Sequence, residues 1–180
     1  LDRSSAASDV YKRQTDTQAS VSDTFGNGLT WSLAAKTGLL IPLNGCDPCL
    51  NDRFMLGGPT CIRMFRLNSL GPKFSHDSLG GDAFWAVGAS LLSPIPMRSH
   101  WPLKLHAFTN MGQLAQVQPS AARKNHNWTE LAQPSVSAGF GVLFQQGPVR
   151  LELNFGLPLV ARVGDGIRKG LQFGIGIDFL

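Results

Sequence analysis

Arg63 sits between Ile62 and Met64 in the stretch RFMLGGPTCIRMFRLNSLGPK, Arg53–Lys73, where cations alternate with glycines and apolar residues in neither a helical nor a strand pattern. Its guanidinium carries five donors in a fixed fork, suited to a carboxylate or a set of carbonyls. Alone, such an arginine is an ordinary solvated loop charge. The same region holds Cys46-Asp-Pro-Cys49 and, further on, Cys61. That spacing suits a redox pair, or part of a zinc site with His76 as fourth ligand. There is no second CxxC, so loop cysteines are the plainer reading, with a disulfide open to them in an oxidising space. His76, His100, His106 and His126 show no HExxH or other ligand spacing. His106 falls on a predicted inward face, where a hydrogen-bonded wall histidine is the default. Asn127-Trp128-Thr129 matches a glycan acceptor, a pattern common by chance. The glycine pairs at 57–58 and 80–81 open no helix after a strand, so they cradle no phosphate. With no GxSxG, no Walker pattern and no isolated carboxylate pair, an enzyme is the least expected class and no cofactor is implied.

The composition says which elements must position Arg63. The chain has 180 residues, 43% hydrophobic and only 16% charged, with Gly 20, Pro 11, Phe 11 and Tyr 1. Soluble domains carry about 25% charged residues. A Gly-rich, Phe-rich, low-charge chain with few helix signals suits an all-β protein. No run of about eighteen apolar residues offers a membrane helix. The net charge of +4 is spread over apparent loops without aromatic interleaving. A nucleic-acid partner is therefore not expected, and an anionic membrane surface fits better. Leu1–Gln14 is polar and patternless, and it lacks the apolar centre of a secretory signal. It reads as a non-native leader, which leaves 15–180 for the fold.

Period-two alternation dominates that remainder. In VRLELNFGLPL, Val149, Leu151, Leu153, Phe155, Leu157 and Leu159 share one face, opposite Arg150, Glu152, Asn154, Gly156 and Pro158. GLQFGIGIDFL and SVSAGFGVLF repeat the pattern; LTWSLAAKTGLLI, DAFWAVGASLL and LKLHAFTNMG show it with more noise. The result is about six strands of the 9–11 residues a tilted membrane-crossing strand needs. A soluble sandwich buries its apolar face against a second sheet. A membrane barrel turns that face to lipid and keeps a small, polar face inside. Strand length and the glycine-rich polar face favour the barrel. The connections run long, short, long, short, medium, the two-sided pattern of outer-membrane barrels. The first, Leu43 to Gly81, is about forty residues, a length rare in loops without function. Trp31, Trp85, Trp101 and Trp128 fall at or near strand ends, as interface belts do. Six strands are too few to close a spanning barrel, so this chain reads as part of a larger one.

DRFMLGGPTCIRMFRLNSLGPK, DSLGGDAFWAVGASLLSPIP, LKLHAFTNMGQL and GPVRLELNFGLPLVARVGDGIRKGLQFGIGIDFL follow one another in the order they take in a known family. Over about Thr24 to Leu180 the chain resembles the barrel subunit of the mitochondrial sorting and assembly machinery, within the bacterial surface antigen superfamily of barrel-assembly factors. The resemblance implies a barrel of about sixteen strands, with this chain supplying about the last six. It implies a long loop folded into the barrel, its tip anchored to the inner wall. The matching tip residues are Ile62, Arg63, Met64 and Phe65, with Met64 standing where the family has glycine. Wall partners for Arg63 would be Asp82, Asn110 or Glu152. The terminal strand resembles the family's sorting signal, with Gln172, Gly174, Ile177 and Phe179 at the fixed positions.

The function implied is insertion of β-barrel precursors into the mitochondrial outer membrane by strand pairing at a lateral seam. The partners implied are those precursors, membrane lipids, peripheral receptor subunits on the cytosolic side and cristae-organising complexes on the inner side. Two other classes fit less of the pattern: a passive or polypeptide-translocating pore of the same superfamily, and a soluble β-sandwich binding module.

Overall fold

The structure is a computed structural model that describes residues 12–26, 28–42, 49–59, 61–75, 77–95, 101–116 and 131–177. Among the described residues nine strands follow in chain order: β1 Lys12–Thr24, β2 Thr30–Pro42, β3 Lys73–Phe74, β4 Asp77–Ser78, β5 Ala83–Pro94, β6 Leu103–Ala115, β7 Ser135–Gln146, β8 Val149–Val160 and β9 Gly170–Ile177. Seven of them form one antiparallel sheet in the order β1-β2-β5-β6-β7-β8-β9. The two-residue strands β3 and β4 pair only with each other, inside the long β2–β5 connection.

The sheet thus has one strand more than the alternation implied. β1 pairs with β2 along its whole length, from Lys12↔Pro42 to Thr24↔Thr30. Its outward positions are Arg13, Thr15, Thr17, Ala19, Val21 and Asp23, and its inward ones are polar too. With no apolar face, it carries no period-two contrast to read. Its first three residues, Lys12–Gln14, fall in the segment set aside as a leader.

The other long strands keep the faces their sequences imply. Along β8, Glu152, Asn154 and Gly156 are buried while Leu153, Phe155 and Leu157 are exposed. Phe155 is 49% and Ile175 57% exposed, and Phe140, Phe173 and Leu171 share their surface. Among the described residues only the rim of this face is covered, where Leu131 packs on Ala83 and Ala115 and its carbonyl accepts from Trp85 Nε1 at 2.9 Å; an apolar surface this extended marks contact with lipid or a partner. Most of the buried apolar residues lie on the other side. Leu56, Ile62, Phe65 and Leu70 from the long connection pack with Ala86 and Leu114 of the inner wall, and Phe54, Cys61 and Phe84 close around them.

The sheet curls around this cluster. Asp16 and Gln18 of β1 and Arg150 of β8 line one cavity of about 430 Å³. Strands five steps apart in a flat sheet would stand about 24 Å from each other. β1, β5 and β7 end, and β2, β6 and β8 begin, at one end of the sheet, while β2, β6 and β8 end, and β5, β7 and β9 begin, at the other. Trp31 and Trp85 sit near the starts of antiparallel neighbours, hence near opposite rims; Trp101 precedes β6 on the Trp31 side.

An outward arginine at mid-strand should therefore be costly. Leu153→Arg is expected to lower stability by about 2–4 kcal/mol, and Leu159→Arg, close to a rim, by about 0–1 kcal/mol. Reversible urea unfolding in lipid vesicles measures both. Equal costs would mean that the face does not meet lipid.

Candidate functional site

The inner wall is a sequence of cross-strand rows. His106, Gly141, Asn154 and Gln172 lie side by side across β6 to β9, and Leu143, Glu152 and Gly174 form the row beside them. Glycines elsewhere on this wall leave space that the long connection occupies. A Cβ built on Gly112 would stand 2.6 Å from Ile62 Cδ1, and one on Gly156 would stand 3.2 Å from Met64 Cγ. The loop tip thus rests where the wall has no side chains.

Its charged contact is with Glu152. Arg63 Nε donates to Glu152 Oε2 at 2.9 Å, and Nη2 donates to Oε1 at 3.1 Å. Two parallel bonds to one carboxylate fix the direction of the guanidinium as well as its place. Arg150 Nη2 lies 2.6 Å from Oε1, and Asn154 Nδ2 donates to Oε2 at 2.9 Å. Each carboxylate oxygen therefore takes two partners. The guanidinium carbon also stands 5.1 Å from the Phe108 ring centroid, over its face, where a cation is attracted by the ring quadrupole. Arg63 itself is only 8% exposed.

Of the three wall positions considered, Glu152 takes the Arg63 side chain. Asn110, with its amide turned to satisfy both neighbours, accepts from the backbone N–H of Arg63 at 3.3 Å and donates to the Thr109 carbonyl at 3.1 Å. Asp82 stands apart, just before β5, where its backbone joins Leu40 and Ala115.

Met64 is fully buried with φ +67, in the left-handed region that favours glycine. Around it the tip runs beside the β8–β9 connection. Arg168 N–H donates to the Met64 carbonyl at 2.9 Å, Arg66 N–H donates to the Gly166 carbonyl at 2.7 Å, and Phe65 bridges Ile167. Ser69 Oγ donates to Gly166 O at 3.0 Å.

Gln172, placed by sequence in a sorting strand, also holds the tip. Its Oε1 accepts from Met64 N–H at 2.8 Å and its Nε2 donates to the Phe65 carbonyl at 3.2 Å. Alternation puts Gln172 on the inner face, but no local signal names its partner. Gly174 lies beside Pro59. Ile177 pairs with Val149 at the far end of the β8–β9 ladder.

Phe179 lies outside the described residues, as do Cys46, His76, His100, His126 and the Asn127-Trp128-Thr129 acceptor pattern. Cys49 is exposed and Cys61 half-buried, both as free thiols. Among the described residues no three of His, Cys, Asp and Glu gather as a metal site would need. The described arrangement supplies charge pairing and backbone recognition.

Known proteins are similar to this chain in sequence and in fold. The Omp85 superfamily domain matches residues 4–179. A SAM50-like protein of Schizosaccharomyces pombe is 40% identical over 91% of this chain and 34% of its own length. The sorting and assembly machinery component 50 homolog of Homo sapiens is 38% identical over 79% of this chain and 32% of its own. The chain thus spans about a third of the length of these relatives. The crystal structure of BamA from Haemophilus ducreyi superposes with a TM-score of 0.78 at 16% identity, over 93% of this chain and 35% of that one, a likeness of fold.

Two expectations follow from the tip geometry. Glu152→Ala leaves two guanidinium groups facing each other and should cost about 3–5 kcal/mol. Arg63→Ala, which leaves the carboxylate with Arg150 and Asn154, should cost less. The double variant should cost less than the sum, by a coupling of about 1–3 kcal/mol; additive costs in vesicle unfolding would deny the pair. At Met64, glycine relieves a left-handed strain of about 1–2 kcal/mol but empties a buried site worth about 2–5 kcal/mol. Met64→Gly should therefore destabilise, and Met64→Ala, which keeps the strain, should destabilise more. The reverse order would mean that the backbone relaxes out of the left-handed region.

Proposed function

The chain belongs to the Omp85 superfamily, and from that premise we propose that it inserts β-barrel precursors into its membrane by strand pairing along the edge of β9. That membrane is the mitochondrial outer membrane, a location the likeness to sorting and assembly machinery component 50 supports. The observation that carries the reading is β9 itself. It lies at the margin of the sheet, with β8 its one strand neighbour among the described residues. Its outward residues Leu171, Phe173 and Ile175 are exposed and apolar. Unpaired backbone groups are not tolerated in hydrocarbon. The free edge of β9 must therefore be met by another strand, either the far side of its own barrel or a strand from a client.

A client strand that adds there gains a full ladder of backbone bonds before it leaves the polar interior, and alternate side chains set its register. Hairpins then enter by exchange, one ladder replacing another, with no covalent step. The long connection fills the inner side of the same sheet and keeps the wall behind β9 in place. In this reading the clients are barrel precursors, recognised by the geometry of a terminal strand. The resemblance to the sorting and assembly machinery extends the proposal to its receptor subunits on the cytosolic side, cristae-organising complexes on the inner side, and the surrounding lipids.

Cysteines placed singly at Leu171, Phe173 and Ile175, in mitochondria importing a barrel precursor with a cysteine scan through its terminal strand, test the reading. The expected result is disulfide adducts at precursor positions spaced by two, shifting in step with the β9 site. Absence of adducts at every β9 position, with ion conductance intact, would instead favour a passive pore.

A further inference from the structure

The loop tip is fastened to two neighbouring strands at once. Arg63 holds Glu152 of β8, and the Met64–Phe65 backbone holds Gln172 of β9. In the β8–β9 ladder Glu152 faces Gly174 and Asn154 faces Gln172, so the two anchors lie diagonally across a single step. The chain that joins them is three consecutive residues, whose backbone spans about 7 Å when extended. Paired strands stand about 4.8 Å apart. A tether this short cannot follow a strand that leaves its neighbour. The same tip also pairs with the β8–β9 connection through Arg66, Phe65 and Met64.

We propose that the docked tip locks β9 to β8, with Gln172 as the positioning residue that couples them, so that tip release and β9 release are one event. The coupling needs a side chain that accepts from Met64 N–H and donates to the Phe65 carbonyl. A primary carboxamide does both. A carboxylate has no proton to donate, and an ammonium has no lone pair to accept with. Gly174 completes the fit, since a Cβ there would stand 3.1 Å from Pro59 Cβ. All these contacts come from the inner face, while the free edge of β9 carries backbone groups in the plane of the sheet. The lock therefore leaves that edge open to a partner. It makes β9 the fixed side of the seam, and the strand it meets the side that moves. This meaning rests on the assembly reading of β9; the coupling itself does not.

Amide hydrogen exchange on the full-length protein in lipid nanodiscs tests the coupling. In the unaltered protein, residues 63–66 and the β9 amides should open with one common rate, slower than either could show alone. Arg63→Ala, which removes no contact to β9, should speed β9 exchange roughly tenfold while leaving the β5–β6 ladder unchanged. Gln172→Ala should speed exchange at 63–66 by a similar factor, and the near-isosteric Gln172→Glu should fail to restore protection. Separate opening rates in the unaltered protein, or an Arg63→Ala effect confined to the loop, would overturn the lock. Because the first measurement needs no variant, a misfolded variant does not end the test. Loss of the lock with precursor adducts retained leaves the assembly reading standing; an intact lock without adducts removes that reading alone.

Discussion

The bidentate bond between Arg63 and Glu152 is the interaction on which the course of the long connection depends. Closing a loop of about forty residues costs about 3 kcal/mol in chain entropy, beyond a constant, and that cost grows slowly with length. A tip held only by apolar contacts could settle at several places along a wall of alternating small residues. A planar fork meeting a planar carboxylate admits few orientations. The charge pair thus supplies register, and the apolar cluster of Ile62, Phe65, Leu70 and Leu114 supplies most of the burial. Buried ion pairs are often near neutral for stability against apolar substitutes, so selection of one arrangement is the role that fits here. Each Glu152 oxygen takes two partners, which leaves the carboxylate little freedom to point elsewhere.

The sheet inverts the layering of a water-soluble β domain. Leucine and phenylalanine crowd its outward face, while its inner face mixes glycine, serine, asparagine and glutamine with a few large residues such as Phe108, Leu114 and Leu143. An apolar outer face requires lipid, and lipid requires that every backbone group be paired. Small residues inside then make room for a loop, and a loop inside supplies the buried core that the sheet cannot make by itself. The tip of the loop returns to the last two strands, the part of the sheet with least lateral support among the described residues.

Much of this was legible in residue order. β8 was readable position by position, because a leucine or phenylalanine at every second place contrasts sharply with what lies between. β1 was invisible for the opposite reason: Thr15, Thr17 and Ala19 on its outer side differ too little from Gln14, Asp16 and Gln18 on its inner side. It is a strand because β2 offers it a ladder, which is a tertiary fact. Arg63 stood out against apolar neighbours, but its partner did not. Glu152 and Asp82 are both carboxylates near the wall, and the choice between them turns on how far a forty-residue loop reaches along β8. No local pattern encodes that distance. Gln172 shows the same limit more sharply, since its inward direction was readable and its two backbone partners were not.

Met64 shows how the tip and the wall divide one steric requirement. A backbone that turns through φ +67 is easiest for glycine, and glycine at the tip would leave space against the wall. Here the large side chain is on the tip and the glycine is on the wall, at Gly156, where an added Cβ would stand 3.2 Å from Met64 Cγ. The local strain at Met64 is of the same order as, and smaller than, the burial its side chain gains. Thioether side chains adapt to irregular space better than branched ones, so methionine suits the uneven cleft between tip and wall. The close fit has a consequence for β8. Any side chain at Gly156 would meet the neighbouring β7 backbone as well as Met64, since a Cβ there would stand 2.6 Å from the Ala138 carbonyl oxygen. The wall position is therefore constrained from two directions and the tip position from one, which makes Gly156 the less replaceable of the pair.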